Sequence, residues 1–237
     1  MTWVLRIFFS LVIATGALAS TVRGSIDLMA SRDPMVRKHK DFSGVVVWLE
    51  PLNGAAAPVE IRPAQMIQKN KMFTPHVLAI PVGASVSFPN FDPIFHNAFS
   101  NFNGQIFDVG LYKPGSSRTV AFKREGVVRV FCNIHPQMSA VIVVLKTPYF
   151  AVSDKNGAFE ISGVPSGEYH LRVFHERAAR ETLDALARNI TVDSEPIDLR
   201  ALAISESGYL QVPHTNKYGK DYPPVIEDHP AYPGAGK

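Results

Sequence analysis

The 237-residue chain is poor in cysteine and has little excess of charge of either sign. Its single cysteine, Cys132, excludes a disulfide framework, and it also excludes c-type haem attachment, which needs two cysteines before a histidine. The 24 lysines and arginines against 21 aspartates and glutamates give a formal net charge of +3, and these charges are interspersed. We therefore expect no basic surface for nucleic acid. With 46% hydrophobic residues, the chain is expected to fold into one or two domains.

Long hydrophobic runs are missing except at the start of the sequence. Residues 1–19 combine a short n-region containing Arg6, an apolar stretch over 7–14 and a small-x-small pattern at 17–19. This order is typical of a secretory signal peptide, and the apolar stretch is too short for a membrane span. We expect cleavage before Ser20 and a periplasmic product without a membrane span; the alternative is an uncleaved anchor.

Strand signals dominate the rest of the sequence. Short runs rich in Val, Ile and Phe, bounded by Gly, Pro, Asn or Ser, predict an all-β protein built from sandwich-like units. The first series covers residues 45–50, 76–82, 85–90, 107–112, 118–122, 126–132 and 140–146. The second covers residues 150–153, 158–161, 168–174 and 197–204, with a short helix or loop that passes into a strand over 181–192.

The break between these two series suggests a division of the chain into parts. The predicted parts are a signal peptide (1–19), an irregular leader (20–40), a first β domain (41–146), a second β module (147–205) and a Pro- and Gly-rich tail (206–237). At about 60 residues the second module is short for an independent sandwich, so we expect it to pack on the first domain. The strand at 45–50 fits either an extra strand of the first domain or a part of the second.

The strongest chemical signal is a short loop after the strand that ends at Cys132. Residues 131–138 read Phe-Cys-Asn-Ile-His-Pro-Gln-Met, and His96 lies upstream in the loop after another strand. Two imidazoles, a thiolate and a weakly bound thioether form the ligand set of a blue-copper electron-transfer site. The sulfur ligands favour Cu(I), whereas imidazole suits both oxidation states. The sequence therefore predicts one copper ion held by His96, Cys132, His135 and Met138.

A resemblance to the cupredoxin family is carried by two motifs. They are Cys132-x2-His135-x2-Met138 and, upstream, Phe88-Pro89-Asn90 with His96-Asn97. The two-residue gap before the methionine is like that of amicyanin, and residues 66–146 are similar to plastocyanin-like proteins associated with methylamine utilisation. The resemblance implies a Greek-key β-sandwich with one type 1 copper, which carries electrons for redox partners without turning over a substrate. It also implies a link to methylamine oxidation.

The same resemblance assigns roles residue by residue. His96, Cys132 and His135 become the strong equatorial ligands, and Met138 becomes the long axial one. The braces of the ligand loop become Asn97 and Asn90, which act through hydrogen bonds. The docking face for a dehydrogenase or cytochrome comprises Pro136, Phe95, Ile94 and Pro93.

The second region resembles the carboxypeptidase regulatory-like, transthyretin-type modules. The pattern is Asp154-x-x-Gly157-x-Phe159-x-Ile161-x-x-Val164-Pro165-x-Gly167-x-Tyr169-x-Leu171. The resemblance implies a β fold and says almost nothing about chemistry, because such modules are usually scaffolds.

Alternative interpretations remain open from the sequence. The protein could deliver or store copper without an electron-transfer role, or it could be a metal-free structural or interaction protein in which Cys132 is a buried thiol. A zinc site with one cysteine and two histidines would leave Met138 without a role. We interpret His76, at a strand start, as a structural histidine. The tail could dock on the body of the protein through Lys217, Lys220, Tyr218, Tyr222 and Tyr232, and a mobile tail is the equal alternative.

Overall fold

The computed structural model describes residues 19–54, 58, 60–101, 104–210 and 213–223. The predicted signal peptide, up to residue 18, and the tail beyond residue 223 lie outside the described residues. The predicted all-β fold is confirmed, with two short helices among many strands in the described part of the chain. No helix in this part is both long and apolar enough to cross a membrane.

The elements are numbered here in chain order. The strands before residue 147 are β1 (Ala19–Met29), β2 (Val46–Pro51), β3 (Ala64–Gln65), β4 (Ile67–Lys69), β5 (Met72–Thr74), β6 (Val77–Pro81), β7 (Ser85–Pro89), β8 (Phe99–Ser100), β9 (Phe107–Asp108), β10 (Ser117–Ala121), β11 (Gly126–Phe131) and β12 (Ser139–Leu145). The later strands are β13 (Phe150–Val152), β14 (Ala158–Pro165), β15 (Gly167–Phe174), β16 (Arg188–Val192), β17 (Ile197–Asp198) and β18 (Leu202–Ser205). The helices are α1 (Pro34–His39) and α2 (Arg180–Leu186).

The first β unit, residues 64–145, is built mainly from two sheets. One sheet has the order β6-β12-β11-β8-β9 and the other has the order β10-β7-β3. Inward-pointing side chains from both sheets form one buried cluster, which includes Val86, Phe88, Phe122, Val130 and Ile142. Because Cys132 and Met138 belong to the same cluster, the end of the sandwich that carries the ligand loop is continuous with its core.

The second β unit combines the start of the chain with residues 150–205. Strand β1 lies between β14 and β17 and also pairs with β18, while β13-β2-β15-β16 form the facing sheet. Along β15, Tyr169, Leu171 and Val173 are buried, as the two-residue period of a strand requires. The sequence did not decide to which unit the strand predicted at 45–50 belongs. This strand is β2, and it pairs with β15 of the second unit, with Leu49 opposite Leu171. The first β unit is therefore inserted into the second.

The expectation of an irregular leader at residues 20–40 is wrong. Strand β1 occupies most of this stretch and pairs with β14, and α1 follows with Asp33 as its N-cap. Val22 and Ile26 point into the core, but the inward position between them is Gly24. A Cβ atom at Gly24 would lie 2.8 Å from the Phe159 ring, so that ring occupies the place of a side chain here. The glycine hides the apolar alternation that identifies a strand.

The two units pack against each other through a third apolar cluster. Val46 of the second unit is buried with Val77, Val141, Val143 and Leu145 of the first unit. These contacts bury both faces of β12, which explains its nearly continuous apolar sequence.

Candidate metal centre

Three of the four predicted ligands converge at one end of the first β unit. The ligand atoms of His96, Cys132 and His135 all lie within 4.8 Å of one another, and all three residues are buried. The Cys132 Sγ atom is 3.9 Å from His96 Nδ1 and 3.5 Å from His135 Nδ1. The two Nδ1 atoms are 3.1 Å apart. No other such group of His, Cys, Asp and Glu side chains occurs in the part of the chain that the structure describes.

The size of this triangle fits a metal ion. A point equidistant from the three atoms lies about 2 Å from each of them, close to the roughly 2.0–2.3 Å of ordinary metal–imidazole and metal–thiolate bonds. The donor set of one sulfur and two imidazole nitrogens is the trigonal arrangement of blue-copper sites. The residues present therefore fit a copper ion without rearrangement of the backbone.

Backbone hydrogen bonds hold each ligand in place. The loop after β11 closes on itself, because Cys132 N–H donates to the carbonyl of Met138 over 3.2 Å and Met138 N–H donates to that of His135 over 3.0 Å. His96 is fixed by a reciprocal pair with Tyr112, with N···O distances of 3.2 and 2.9 Å. The hydroxyl of Tyr112 in turn donates to the carbonyl of Phe88 over 2.8 Å.

The sulfur of Cys132 is buried, and backbone N–H groups partly offset the effect of burial on its pKa. Burial raises the pKa of the Cys132 thiol, and N–H groups of Ile134, Asn97 and His135 oppose that rise by hydrogen bonding to the sulfur. The net effect is a raised pKa. A metal cation supplies the positive charge that a buried thiolate needs, and its binding releases the thiol proton.

A carboxylate that the sequence analysis did not single out orients His96. Asp92 Oδ2 lies 2.7 Å from His96 Nε2, and both side chains are buried. Burial would raise the pKa of Asp92, but hydrogen bonds from the Lys71 backbone, His96 and the Asn70 backbone lower it below its ordinary value. An ionised Asp92 accepts a hydrogen bond from Nε2–H of His96, which leaves Nδ1 with its lone pair toward the cluster. The spacing of four residues is no signal for this contact, because both residues lie in a loop and not on a helix.

The side chains of the two predicted braces form hydrogen bonds with the segments around His96, and their role in bracing the ligand loop stays a prediction. Asn90 closes the loop before His96, since its Nδ2 donates to the carbonyl of Ile94 over 2.8 Å and its Oδ1 accepts from Asp92 N–H over 3.0 Å. Asn97 Nδ2 donates to Asp108 Oδ1 and to the carbonyl of Gly110, over 2.8 and 2.9 Å. The backbone N–H of Asn97 also reaches the Cys132 sulfur.

Met138 and His76 have different places in the structure. Met138 is fully buried in the same core cluster as Cys132, at the end of the ligand loop. His76 lies away from the cluster, with its Nδ1 3.0 Å from the carbonyl of Ser139 and its Nε2 2.6 Å from Glu176. These contacts agree with the interpretation of His76 as a structural histidine.

The predicted docking residues are unequally exposed. Pro93 is exposed, whereas Ile94, Phe95 and Pro136 are half-buried, and His135 is 7% exposed.

The sequence analysis did not single out three exposed apolar residues that adjoin residues of the site along the chain. Phe91 (62% exposed) adjoins Asp92, Leu111 (54%) adjoins Tyr112, and Ile134 (41%) lies inside the ligand loop. Such single apolar residues in loops carry no periodic signal. We call Phe91, Leu111 and Ile134 the apolar rim.

Comparisons with known proteins give structural neighbours at low similarity. No protein-family model and no curated protein matches the sequence. A copper-containing nitrite reductase from Thermus scotoductus SA-01 is 28% identical, with 40% of this chain and 25% of the reductase covered and a TM-score of 0.35. A purple cupredoxin from Nitrosopumilus maritimus is 29% identical, with 35% of this chain and 99% of that protein covered and a TM-score of 0.32.

A reduced Cu(I) form of an amicyanin mutant is 20% identical, with 42% of this chain and 98% of amicyanin covered and a TM-score of 0.34. The chain thus spans about a quarter of the length of the nitrite reductase and nearly all of the two smaller proteins. At these TM-scores the neighbours decide nothing about this chain, whose function has to be inferred from its own site.

Proposed function

We propose that this protein binds one copper ion at His96, Cys132 and His135 and carries single electrons between periplasmic redox partners, without turning over a substrate. The observation that supports the proposal is the buried triangle of one sulfur and two Nδ1 atoms, with sides of 3.1, 3.5 and 3.9 Å. Copper bound there would supply a one-electron couple, Cu(II)/Cu(I).

The protein's contribution to this function is a rigid set of ligands. Cys132 and His135 lie in a loop closed by backbone hydrogen bonds, and His96 is held both by Tyr112 and by Asp92. Ligands that keep their positions suit a metal whose two oxidation states prefer different geometries, since less rearrangement accompanies each transfer. We propose Met138 as the weak axial ligand, because it ends the same loop and is fully buried in the same core cluster as Cys132.

The surface around the site supports transient docking. The apolar rim and the exposed Pro93 supply exposed uncharged side chains on the loops that carry His96 and His135 and beside Tyr112, whose backbone pairs with that of His96. Weak electron-transfer complexes bury less than about 1,200 Å² in total, so a rim of this kind is enough. We propose a dehydrogenase or a cytochrome as the partner, and a link to methylamine oxidation. A deletion strain that grows normally on methylamine would remove that link.

The optical and EPR spectra of the copper-reconstituted protein test the proposal. We expect an intense visible thiolate-to-copper band at one copper per chain, and its loss in Cys132→Ser. Leu52→Ala, at an exposed position directly after β2 of the second β unit, serves as a control that keeps the band. A band that is absent, or that survives in Cys132→Ser, contradicts the proposal.

Two further measurements separate the alternatives. Slow electron self-exchange, together with transfer of copper to an acceptor protein that lacks it, would indicate delivery or storage. Substoichiometric copper in protein purified from its native compartment would indicate a metal-free structural role.

A further inference from the structure

The segment of residues 213–223, which we call the clamp segment, lies on the ligand loop. His214 Nε2 donates to the carbonyl of Pro136 over 2.7 Å, and the Tyr222 hydroxyl donates to the carbonyl of Cys132 over 2.8 Å. Between them, the Lys217 N–H donates to Asn133 Oδ1 over 3.0 Å. The three anchors therefore cover the stretch of the loop that contains both Cys132 and His135.

Aromatic packing strengthens these anchors. The His214 ring stacks on the ring of Phe131, the last residue of β11, with 4.1 Å between centroids and 29° between planes. The Tyr222 ring packs edge-on against that of His214, with 5.2 Å between the centroids. The Tyr222 hydroxyl is also 3.2 Å from His214 Nδ1. Stacked and edge-on ring pairs contribute beyond the area they bury.

The clamp segment has a folded turn of its own. Asn216 N–H donates to the carbonyl of Lys220 over 2.8 Å, and Gly219 N–H donates to that of Asn216 over 2.9 Å. The Asn216 side chain accepts from the N–H groups of Tyr218 and Lys220, at 2.9 and 3.1 Å. Gly219 has a φ of +71°, a conformation that suits glycine. A segment ordered in this way loses less entropy when it binds the loop.

The clamp segment also contacts the end of β9, which is hydrogen-bonded to the residue after His96. Lys217 Nζ lies 2.7 Å from Asp108 Oδ2, and Asp108 Oδ1 accepts from Asn97 Nδ2. Asn97 directly follows His96, and its backbone N–H donates to the Cys132 sulfur. The segment thus joins the two parts of the chain that supply the ligand atoms.

We propose that the clamp segment is part of the copper site, with Tyr222 and His214 as positioning residues that act through the carbonyls of Cys132 and Pro136. This rests on the proposed copper-binding function. Without the Tyr222 hydroxyl, the negative end of the Cys132 carbonyl dipole is left uncompensated near the site, which favours the more positive oxidation state. The loop is also held less firmly, so copper leaves faster.

The test compares Tyr222→Phe with Tyr218→Phe in the full-length protein. Tyr222→Phe keeps the ring and removes the hydroxyl, whereas Tyr218, in the same segment, is 70% exposed and serves as the matched control. We expect Tyr222→Phe to lower the reduction potential and to speed removal of copper by a Cu(I) chelator at least about threefold. Tyr218→Phe should match the wild-type protein in both measurements.

Limited trypsin digestion provides a second measurement, which needs no redox activity. If the clamp segment tightens copper binding, copper must by reciprocity tighten the clamp segment by the same factor. We therefore expect Cu(I) to slow cleavage after Lys217 and Lys220 in the wild-type protein. Cleavage after Lys155, in an exposed turn of the second β unit, is the internal control and should not change.

The outcomes distinguish failure of the clamp from failure of the copper site. Wild-type protein that binds no copper overturns both proposals. Wild-type protein that binds copper with an intense visible band, while Tyr222→Phe behaves as Tyr218→Phe does and copper leaves cleavage after Lys217 unchanged, overturns the clamp alone.

Discussion

The carboxylate of Asp92 lies 2.7 Å from Nε2 of His96, and these two residues are four positions apart in the loop before β8. The same carboxylate accepts the backbone N–H groups of Asn70 and Lys71, at 2.6 and 2.9 Å. Asp92 therefore fixes the ring of His96 and, at the same time, ties its loop to the β4–β5 hairpin. A ligand oriented in this way is ready for a metal before the metal arrives.

Asp92→Ala is the first prediction, and it tests this orientation. The variant should bind copper on the order of 10-fold more weakly, since partners of metal-ligating histidines typically contribute 10- to 100-fold in affinity. Competition with a chelator of known affinity measures the change. Asp198→Asn, which alters an exposed pair with Arg23 in the second β unit, is the control and should bind copper as wild type does.

Because Asp92 also holds Asn70 and Lys71, the unfolding of the copper-free variant has to be measured alongside. Asp92→Ala protein that is folded and binds copper with wild-type affinity would show that His96 needs no such partner.

Met138→Leu is the second prediction, and it tests the proposed axial ligand. Leucine has nearly the same volume as methionine, so the free energy of unfolding should fall by less than about 1.5 kcal/mol. Loss of the thioether removes a weak donor, and we expect the reduction potential to rise while the visible band persists. Protein-film voltammetry measures the potential.

The chain offers a matched control for this substitution. Met66 is also fully buried in the core of the first β unit but lies outside the ligand loop. Met66→Leu should leave the potential at the wild-type value. If Met138→Leu gives the same potential as Met66→Leu, Met138 is a core residue and not a ligand.

The site could be predicted from sequence to the extent that its chemistry is local. Cys132 and His135 lie three residues apart after a clear strand, and few structures other than a metal loop place those residue types there. Asp92 could not be identified, because an aspartate in a Pro-containing loop is typical of an ordinary turn. The contacts of His214 and Tyr222 with the loop depend on tertiary structure that no local pattern encodes.

The fold shows the same division between local and distant information. The sequence predicts a strand at 168–174 from a short apolar run after a turn, and β15 lies there. Strand β1 was missed because Gly24 gives its inward place to Phe159, a residue 135 positions later in the chain. The inserted arrangement of the two units follows from the pairing of β1 with β14 and of β2 with β15, which the sequence does not specify.

Leu49→Ala is the third prediction, and it tests whether β2 belongs to the second β unit. Leu49 is fully buried in the core of that unit, so the substitution should lower the free energy of unfolding by about 2–5 kcal/mol. The visible band of the copper-loaded protein should stay the same, because the first β unit has a separate core. Denaturant unfolding followed by far-UV circular dichroism measures the loss.

Leu52→Ala, just beyond the end of β2 at a 46% exposed position, should have little effect on the free energy of unfolding. Equal stability of the two variants would be inconsistent with a buried β2.

Glu206→Gln is the fourth prediction, and it concerns stability against acid. Glu206 is buried in the second β unit, with Oε1 2.7 Å from His175 Nε2 and 3.0 Å from an Arg177 nitrogen. Burial would raise the pKa of Glu206, but hydrogen bonds from His175, Arg177 and Ser31 lower it to about 2. Its folded pKa is therefore below the ordinary 4.5, and its stabilisation is present above pH 4.5 and is lost as the pH falls toward 2.

The glutamine variant has no carboxylate, so this pH-dependent stabilisation should be absent from it. At neutral pH the loss should be on the order of 3 kcal/mol, and between pH 5 and pH 3 the unfolding free energy of the variant should fall less steeply than that of the wild-type protein. Urea unfolding at several pH values measures both effects. Asp198→Asn, at an exposed carboxylate, should follow the wild-type curve closely. If Glu206→Gln instead keeps the wild-type slope in this range, the acid sensitivity arises from other carboxylates, and the contacts of Glu206 with His175 and Arg177 contribute little to folding.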